Sequence, residues 1–216
     1  MRPRAIIFDF DGVIIESFDI KTDAFRHVFR YERDILDRIV GYHLKNGGIS
    51  RFRKFKYIYK NFLGKTLTGA EEERLGKEFA GYVYKKTVAC PYVKGALRFL
   101  RKYHGSIDLY VASGAPEKEL RSIVRDRGIG RFFKGIYGSP STKEEIGRNI
   151  LRAGSYRPGE VLFVGDSYND YEGARKIKVR FIARIHKDNK AMFSALKRRE
   201  KVRDLVSLSS LVDPIA

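Results

Sequence analysis

Cysteine is almost absent from this sequence. The single cysteine, Cys90, cannot form a disulfide within the chain, so a small fold held together by disulfides is excluded. A chain with one thiol also fits a reducing compartment, and we predict a cytoplasmic protein. Because Cys90 stands directly before Pro91 at a predicted helix start, we interpret it as a small packed residue rather than as a catalytic nucleophile.

Long hydrophobic runs are also missing. The longest apolar stretches, around Ile6, Leu109 and Val161, are well short of the roughly 20 residues that a membrane-spanning helix needs. Only a few apolar residues separate the basic first residues from Asp9, so a secretory signal is not expected. Since neither a spanning segment nor a signal is expected, we predict no membrane partner. The sequence also shows neither an internal repeat nor a low-complexity linker.

Positive charge, in contrast, is in large excess. The 216 residues include 44 Lys and Arg against 26 Asp and Glu, which gives a formal net charge of +18. Such a chain attracts anions, whether phosphorylated metabolites, nucleic acid or an acidic surface. With 43% hydrophobic and 32% charged residues, the composition is otherwise globular. The length suffices for one domain with an inserted subdomain.

Residues 16–86 have the pattern of a helical insertion. Apolar residues recur there at helical spacing, as in Phe55 and Tyr59, and no strand is predicted. The last of three predicted helices runs from Thr68, a capping residue, to about Lys86. We interpret this segment as an all-α cap domain inserted into the chain.

The remaining residues, 1–15 and 87–216, alternate strands with helices. Predicted helices cover about 93–103, 116–127, 142–152, 168–177 and 190–199, and predicted strands cover 5–8, 107–112, a stretch near 136, 161–164, 181–185 and, as a strand and turn, 202–211. Strands that alternate with helices of this length favour right-handed crossovers. We therefore predict an α/β core domain with a Rossmann-like, doubly wound parallel sheet.

The most informative stretch is AIIFDFDGV, residues 5–13. A run that is apolar on both faces is typical of a buried parallel strand, and ligands bind at the carboxyl ends of such strands. Period-two geometry directs Asp9 and Asp11 to the same side, and Gly12 lets the backbone turn away. Two such carboxylates either share a proton or hold a cation. On its own, the motif could also be a strand that enters an Asx-type turn.

Two further predicted strands end in polar residues. Ser113 and Gly114 follow one of them, and Asp166 follows the other, with Asp170 one helical turn later. Ser113 or Asp166 could simply cap a helix, and Asp170 could be a solvated residue. Because the carboxyl ends of parallel strands share one edge, we expect these side chains to meet the aspartates of the first strand.

Four carboxylates at one edge would repel one another without a cation. Hard oxygen ligands, with no cluster of histidine or cysteine among them, favour Mg²⁺ over zinc. The four histidines are scattered along the chain, and we interpret them as ordinary surface or core residues: His27, His43, His104 and His186. We therefore predict Mg²⁺ as the cofactor.

Together these motifs resemble the haloacid dehalogenase superfamily. Residues 9–13, DFDGV, are similar to its first motif, and Ser113 is similar to the second. Lys143 stands where the family carries its third-motif lysine, and Asp166 with Asp170 resembles the Gly-Asp-x-x-x-Asp fourth motif. The helical block resembles the cap of the phosphoglycolate phosphatase and β-phosphoglucomutase branch, which is inserted after the first motif.

The resemblance implies a Mg²⁺-dependent phosphatase that works through an aspartyl-phosphate. It implies that Asp9 is the nucleophile and that Asp11 is the general acid and base. It further implies three groups of residues: metal ligands Asp9, Asp11 (through its carbonyl) and Asp166; an orienting residue, Asp170; and phosphate-binding residues Phe10, Asp11, Ser113, Gly114 and Lys143. Because dehalogenases lack the second aspartate, Asp11 favours a phosphatase or, equally compatible with these motifs, a phosphomutase.

The predicted cap has a strongly basic stretch. Residues 38–70 include no Asp or Glu, and Gly48-Ile49-Ser50-Arg51 resembles the specificity loop of caps in this branch. The resemblance implies that Arg51, with Lys54 and His43, reads a second anionic group of a small phosphorylated metabolite. Phosphoglycolate, a sugar phosphate or a nucleotide would fit. The alternative is a basic helix face turned to solvent.

Nucleic-acid binding is a rival hypothesis from another class of function. Residues 51–57, RFRKFKY, interleave cations with rings that could stack on bases, and residues 197–199 form a second basic cluster. However, Phe52, Phe55 and Tyr59 fit the core face of a helix. Nucleic acid is therefore the less favoured partner, and removal of phosphate from a nucleic-acid end stays open.

Overall fold

A parallel sheet of six strands lies at the centre of the chain's larger unit. The computed structural model describes residues 2–46 and 49–213, apart from the side chain of Phe18. The strands are β1 (Ala5–Phe8), β2 (Asp108–Pro116), β3 (Gly135–Ser139), β4 (Val161–Gly165), β5 (Arg180–Arg184) and β6 (Lys201–Val202). They lie in the order β3-β2-β1-β4-β5-β6, and neighbouring strands are parallel. The predicted fold class is confirmed.

The helices divide between two compact units. They are α1 (Phe18–Val28), α2 (Leu36–Lys45), α3 (Arg51–Asn61), α4 (Gly69–Ala89), α5 (Ala96–Tyr103), α6 (Glu117–Asp126), α7 (Lys143–Ala153), α8 (Tyr168–Lys176) and α9 (Leu205–Val212). The first unit comprises Met1–Glu16 with Pro91–Ala216, and the second comprises Ser17–Cys90. Helix α4 runs past its predicted end at Lys86. The second unit therefore ends at Cys90 rather than at the predicted Lys86. Among the described residues, every helix is too short or too polar to span a membrane.

The central strand β1 is buried on both faces. Ala5 and Ile7 join a cluster to which α7 contributes Ile146. The next side chains along the strand point to the opposite face, where the ring of Phe8 meets Phe99 of α5 edge-on with centroids 5.7 Å apart. This two-sided burial explains why the strand is apolar at every position.

Aromatic rings form the core of the second unit. Phe25 of α1 lies at its centre, with ring centroids 5.7 Å from Phe55 of α3 and 5.2 Å from Phe79 of α4. The His43 ring of α2 lies 4.4 Å from the same phenyl group. Helices α2, α3 and α4 therefore all contact Phe25 of α1. Helix α2 itself lies in a stretch for which no helix was predicted.

The C-terminal part of the first unit differs from its prediction. Residues 190–199 do not form the predicted helix, because Phe193 is the buried residue there and the segment has no continuous apolar face. The predicted strand and turn over 202–211 is also wrong beyond β6. The side chain of Asp204 accepts the N–H of Ser207 at 2.8 Å and so caps α9, whose Leu205 and Leu208 are buried.

A lysine is buried within the second unit. Lys54 of α3 is only 2% exposed, and its Nζ lies 2.9 Å from His43 Nδ1 and 3.2 Å from the His43 carbonyl oxygen. Burial, together with the positive charge of Lys21, lowers the pKa of Lys54 to about 8. Burial and the charge of Lys54 lower the pKa of His43 to about 3. At neutral pH, the unit therefore folds around a charged amine and a neutral imidazole.

The buried amine makes stability depend on pH. Because the folded-state pKa of Lys54, about 8, lies below the ordinary value of 10.5, the unfolded chain binds more protons between these pH values. Stability attributable to Lys54 therefore rises with pH in this window. We expect the free energy of unfolding of the wild type, relative to Lys54→Met, to increase by about 2 kcal/mol between pH values of about 7 and 10.

Urea unfolding of both proteins across this pH range measures the difference. Lys60→Met is the matched control, because Lys60 is an exposed lysine on the same helix. A stability difference between wild type and Lys54→Met that does not change with pH would contradict this explanation.

Candidate active site

Asp9 lies at the carboxyl edge of the sheet, directly after β1. Phe8 pairs with Val111 of β2 on one side and with Val164 of β4 on the other, and the backbone N–H of Asp9 donates to the Val164 carbonyl oxygen at 2.9 Å. From β1 the sheet continues in opposite directions. Such a switch point leaves a crevice at the strand ends, where ligands bind in open α/β sheets.

Lys143 reaches this edge from the first turn of α7. The preceding residue, Thr142, caps the helix by accepting the N–H of Glu145. The Lys143 ammonium lies 2.5 Å from Asp9 Oδ1 and also donates to the carbonyl oxygen of Ala112. Its side chain is only 12% exposed, so it is not the solvated charge that a helix lysine usually is.

Asp166 and Asp170 enter the same group from β4 and α8. Asp170 is fully buried. Its Oδ2 accepts the backbone N–H of Ser167 at 3.0 Å, and its Oδ1 lies 2.8 Å from Lys143 Nζ. Ser167 caps α8, so the alternative prediction that Asp166 is the helix cap is wrong, as is that of a solvated Asp170.

The three carboxylates are arranged as a cation would require. One oxygen each of Asp9, Asp166 and Asp170 lies within 4.8 Å of the others, and hard oxygen donors suit Mg²⁺. Both oxygens of Asp170 are already engaged, by Ser167 and by Lys143. Asp9 and Asp166 would therefore be the better ligands for a cation, whereas Asp170 contacts the lysine.

Burial and mutual charge shift the pKa values of the carboxylates and the lysine in this cluster. Burial raises the pKa of Asp9 well above its ordinary value, the Lys143 charge lowers it, and the charges of Asp170, Asp166 and Asp11 raise it. Burial likewise raises the pKa of Asp166. Burial lowers the pKa of Lys143, but the charges of Asp170 and Asp9 outweigh this and raise it. One ammonium thus faces an excess of carboxylates, which a bound cation would balance.

Gly12 allows the first motif to approach the carboxylate from β4. It has φ +73°, and a Cβ at this position would lie 2.0 Å from Asp166 Oδ2. The chain turns sharply here, since the Phe10 carbonyl oxygen accepts the N–H of Ile14 at 3.0 Å. Only a residue without a side chain permits both the turn and the close approach.

Ser113 lies on β2, which extends to Pro116 rather than ending at Ala112 as predicted. Its Oγ accepts the N–H of Ala115 at 3.1 Å, and the residue that precedes α6 is Pro116. The alternative prediction of Ser113 as a helix cap is therefore wrong. Gly114 beside it is exposed.

Sequence reasoning missed the loop that follows β5. Nε2 of His186 lies 3.3 Å from Asp166 Oδ2, and the backbone N–H of His186 donates to Asn189 Oδ1 at 2.9 Å. The buried Asn189 amide donates to the carbonyl oxygens of Asp166 and Arg184 at 2.8 and 2.9 Å. It thereby ties the end of β4 to the end of β5. The available signal was position, since His186 directly follows the predicted strand 181–185.

The predicted substrate-reading residues belong to the second unit. His43 and Lys54 contact each other, and the guanidinium of Arg51 lies over the rings of Phe52 and Phe79 at 4.9 and 5.3 Å. Gly48 of the predicted specificity loop lies outside the described residues. A contact of these side chains with substrate stays a prediction.

Comparison with known proteins identifies the family. A sequence model described as haloacid dehalogenase-like hydrolase matches residues 3–178. The chain belongs to this family. Among curated relatives, a phosphoglycolate phosphatase from Pseudomonas putida is 24% identical over 194 residues, which cover 83% of this chain and 68% of that protein. A 5'-nucleotidase from Pseudomonas aeruginosa is 36% identical over 73 residues, 32% of this chain and 33% of the relative. The predictions of the family and of a phosphatase are confirmed.

Solved structures share the fold. A variant of CbbY from Rhodobacter sphaeroides, in complex with xylulose 1,5-bisphosphate, has a TM-score of 0.76 at 15% identity and covers 98% of this chain and 100% of its own. YfnB from Bacillus subtilis, bound to magnesium, has a TM-score of 0.73 at 18% identity, with 98% and 99% of the two chains covered. At these identities, the likeness establishes the haloacid dehalogenase fold.

We expect Gly12→Ala to lower phosphatase activity about 100-fold, because the new methyl group displaces the Asp166 carboxylate and such misplacements are costly. The matched control is Gly128→Ala. Gly128 has φ +68°, yet no described atom lies within 4 Å of its Cβ position, so it shares the backbone strain without the clash. Initial rates with p-nitrophenyl phosphate, together with melting temperatures, separate the two effects. An equal loss of activity in both variants would show that strain alone is responsible.

Proposed function

We propose that this protein is a Mg²⁺-dependent phosphatase that hydrolyses a small anionic phosphomonoester through an aspartyl-phosphate on Asp9. The observation that supports it most directly is the contact of 2.5 Å between Lys143 Nζ and Asp9 Oδ1 at the carboxyl edge of the sheet. A buried carboxylate can act as a nucleophile only while it is ionised, and the ammonium favours that form.

In the first step of the proposed reaction, Asp9 attacks phosphorus. A bond forms between its carboxylate oxygen and phosphorus while the bond from phosphorus to the leaving oxygen breaks, and Asp11 donates a proton to that oxygen. The Ser113 oxygen accepts the N–H of Ala115, so its hydroxyl hydrogen can be donated to a phosphate oxygen. Lys143 supplies the positive charge for another.

In the second step, water releases the phosphate. Asp11, now a carboxylate, takes a proton from water, and the water oxygen forms a bond to phosphorus while the bond from phosphorus to the Asp9 oxygen breaks. The products are inorganic phosphate and the free carboxylate of Asp9. Asp170 keeps Lys143 in place throughout, since its two oxygens contact Ser167 and the lysine.

The metal site in this proposal consists of Asp9, Asp166 and the backbone carbonyl of Asp11. The spacing of carboxylate oxygens within 4.8 Å in this cluster and their hard donor chemistry suit Mg²⁺. A bound Mg²⁺ would supply the charge that lets a phosphate dianion approach anionic side chains.

The substrate in this proposal is a small phosphorylated metabolite. Phosphoglycolate is the first candidate, because curated relatives that cover most of this chain carry the name phosphoglycolate phosphatase. A nucleotide or a sugar phosphate fits the same chemistry. Since a phosphomutase would return an isomer rather than free phosphate, the product distinguishes that alternative. The cytoplasmic location stays a prediction.

A panel of phosphomonoesters tests the proposal. We expect release of inorganic phosphate that stops in EDTA, returns with Mg²⁺ and falls at least about 1,000-fold in Asp9→Asn, because the variant lacks the nucleophile. Asp126→Asn, an exposed aspartate at the end of α6, is the matched control. Turnover that survives in Asp9→Asn, or that is the same with and without Mg²⁺, would refute the mechanism.

The proposed role of Arg51 is tested by substrate choice. We expect Arg51→Ala to lower kcat/KM about tenfold or more for phosphomonoesters with a second anionic group, and to leave p-nitrophenyl phosphate unaffected, because a lost ion pair concerns only the former. Arg53→Ala removes the same charge from an exposed position on the same helix. If both variants behave alike across the panel, Arg51 has no specific role.

A further inference from the structure

Two helices of the second unit repeat one pattern of side chains. Helix α2 carries Arg38, Tyr42 and Lys45, and α3 carries Arg53, Tyr57 and Lys60, so both read Arg-x3-Tyr-x2-Lys. Steps of four and three residues place each triplet along one helix face. We name these six residues the tyrosine–cation surface.

The two tyrosines join the triplets. The rings of Tyr42 and Tyr57 stack with centroids 4.3 Å apart and an interplanar angle of 5°. Phe62 packs edge-on against both, at 5.8 and 5.6 Å, and the Arg38 guanidinium lies over the Phe62 ring at 4.1 Å. Tyr57 is nevertheless 42% exposed, so the outer ring of this aromatic platform faces solvent.

The core of the unit accounts for only part of this platform. Tyr42 and Phe62 are partly buried and pack against the core cluster, whereas Tyr57 is exposed. Helix α3 buries Phe55, Ile58 and Tyr59, and α2 buries Ile39 and Val40. These residues lie on other faces of the two helices than the triplets do. Of the three rings that the sequence suggested for base stacking, Phe55 is buried and Phe52 is half-buried, whereas Tyr57 is accessible.

The four cations of the surface are exposed and lie in a segment, residues 38–70, that includes no acidic residue. One ion pair does lie on α3, where Lys56 contacts Glu72 at 3.3 Å, and others of this unit lie further away, as in Lys77 with Glu73 at 2.6 Å. Among the described residues, none of these ion pairs includes one of the four cations of the surface.

We propose that the tyrosine–cation surface binds single-stranded nucleic acid, with a base stacked on Tyr57 and backbone phosphates held by Arg38, Lys45, Arg53 and Lys60. Lys60 follows Arg53 by seven helix positions, about 10 Å along the axis. This distance leaves room for one stacked base between two cations. Every base has a flat face, so recognition of this kind tolerates different sequences.

The charge and the rings together favour this ligand over other anions. A lipid surface or an acidic protein would satisfy the cations but has no need of a flat ring platform between them. A duplex offers phosphates, but its bases are already stacked on one another. An unpaired base flanked by phosphates uses Tyr57 and the four cations, and Tyr42 supports the ring of Tyr57 by stacking on it.

Fluorescence anisotropy with labelled oligonucleotides tests the proposal. The probes are single strands of uridine or thymidine, about 15 nucleotides long to cover a usual site, with a fluorescein instead of a terminal phosphate. The full-length Asp9→Asn variant in EDTA separates this binding from phosphatase action. We expect binding that weakens steeply with salt and exceeds binding to a duplex of the same length.

Variants then separate the contribution of ring stacking to binding from that of positive charge. We expect Tyr57→Leu to weaken binding about tenfold or more and Tyr57→Phe to restore it, because the ring face is what matters. The matched control is Tyr31→Leu, since Tyr31 is 79% exposed and has the Arg30 guanidinium 4.5 Å from its ring. Arg53→Gln and Lys60→Gln should each lower the slope of log K against log salt by about 0.7, and Lys77→Gln should not.

Several outcomes would overturn the proposal. An unchanged affinity of Tyr57→Leu, or an equal loss in Tyr31→Leu, would leave no role for the platform. Equal binding of inorganic polyphosphate and oligonucleotide would show attraction to any polyanion. Binding to phosphatidylserine vesicles without binding to oligonucleotides would point to a membrane surface. Because kcat on small phosphomonoesters should be the same in Tyr57→Leu and wild type, these outcomes do not depend on the proposed phosphatase mechanism.

Discussion

The first unit depends on one buried cation, the ammonium of Lys143, which lies 2.5 Å from Asp9 and 2.8 Å from Asp170. Carboxylates this close in a buried edge repel one another and favour protonation, and burial already raises the pKa of Asp9. A protonated aspartate could not attack phosphorus. The same ion pair therefore holds the strand ends and helices together and favours the charged form of the proposed nucleophile, so structure and chemistry share one interaction.

The fold fixes the positions of the residues that form this ion pair. Thr142 and Ser167 cap α7 and α8 through capping boxes, which fixes where Lys143 and Asp170 leave their helices. Gly173 lets α8 lie against the start of α7, because a Cβ there would lie 2.7 Å from Lys143 Cβ. Each partner comes from a different β-α crossover. Positions that are far apart in sequence are thus brought into register by helix starts that are determined locally.

The sequence predicted those parts of the site whose signals are local. Asp9 and Asp166 end apolar runs that only a buried parallel strand explains, and both strands were predicted. The position of Lys143 depended on the family resemblance, since nothing in a helix pattern marks one lysine as buried. His186 and Asn189 escaped prediction because their contacts with Asp166 depend on the turn after β5, and hydrophobic periodicity does not report turns. The strand and turn predicted for residues 202–211 were wrong because the Asp204 side chain caps a helix there, although the composition is strand-like.

Helix α3 departs from the pattern of an amphipathic helix, in which apolar residues face the core and charged residues face solvent. Lys54 occupies a core position beside Phe55, while Tyr57 faces outward. A buried ammonium with a lowered pKa costs stability, and an exposed stacked ring gives little of it back. A helix selected for folding alone would place the ring inside and the amine outside. Local choices that oppose stability cluster at sites that serve another purpose. The exchange is confined to α3, since the equivalent position on α2 is the buried Ile39 and Tyr42 packs partly against the core. Packing therefore explains the position of Tyr42 but not the exposed ring of Tyr57 beside the buried amine of Lys54.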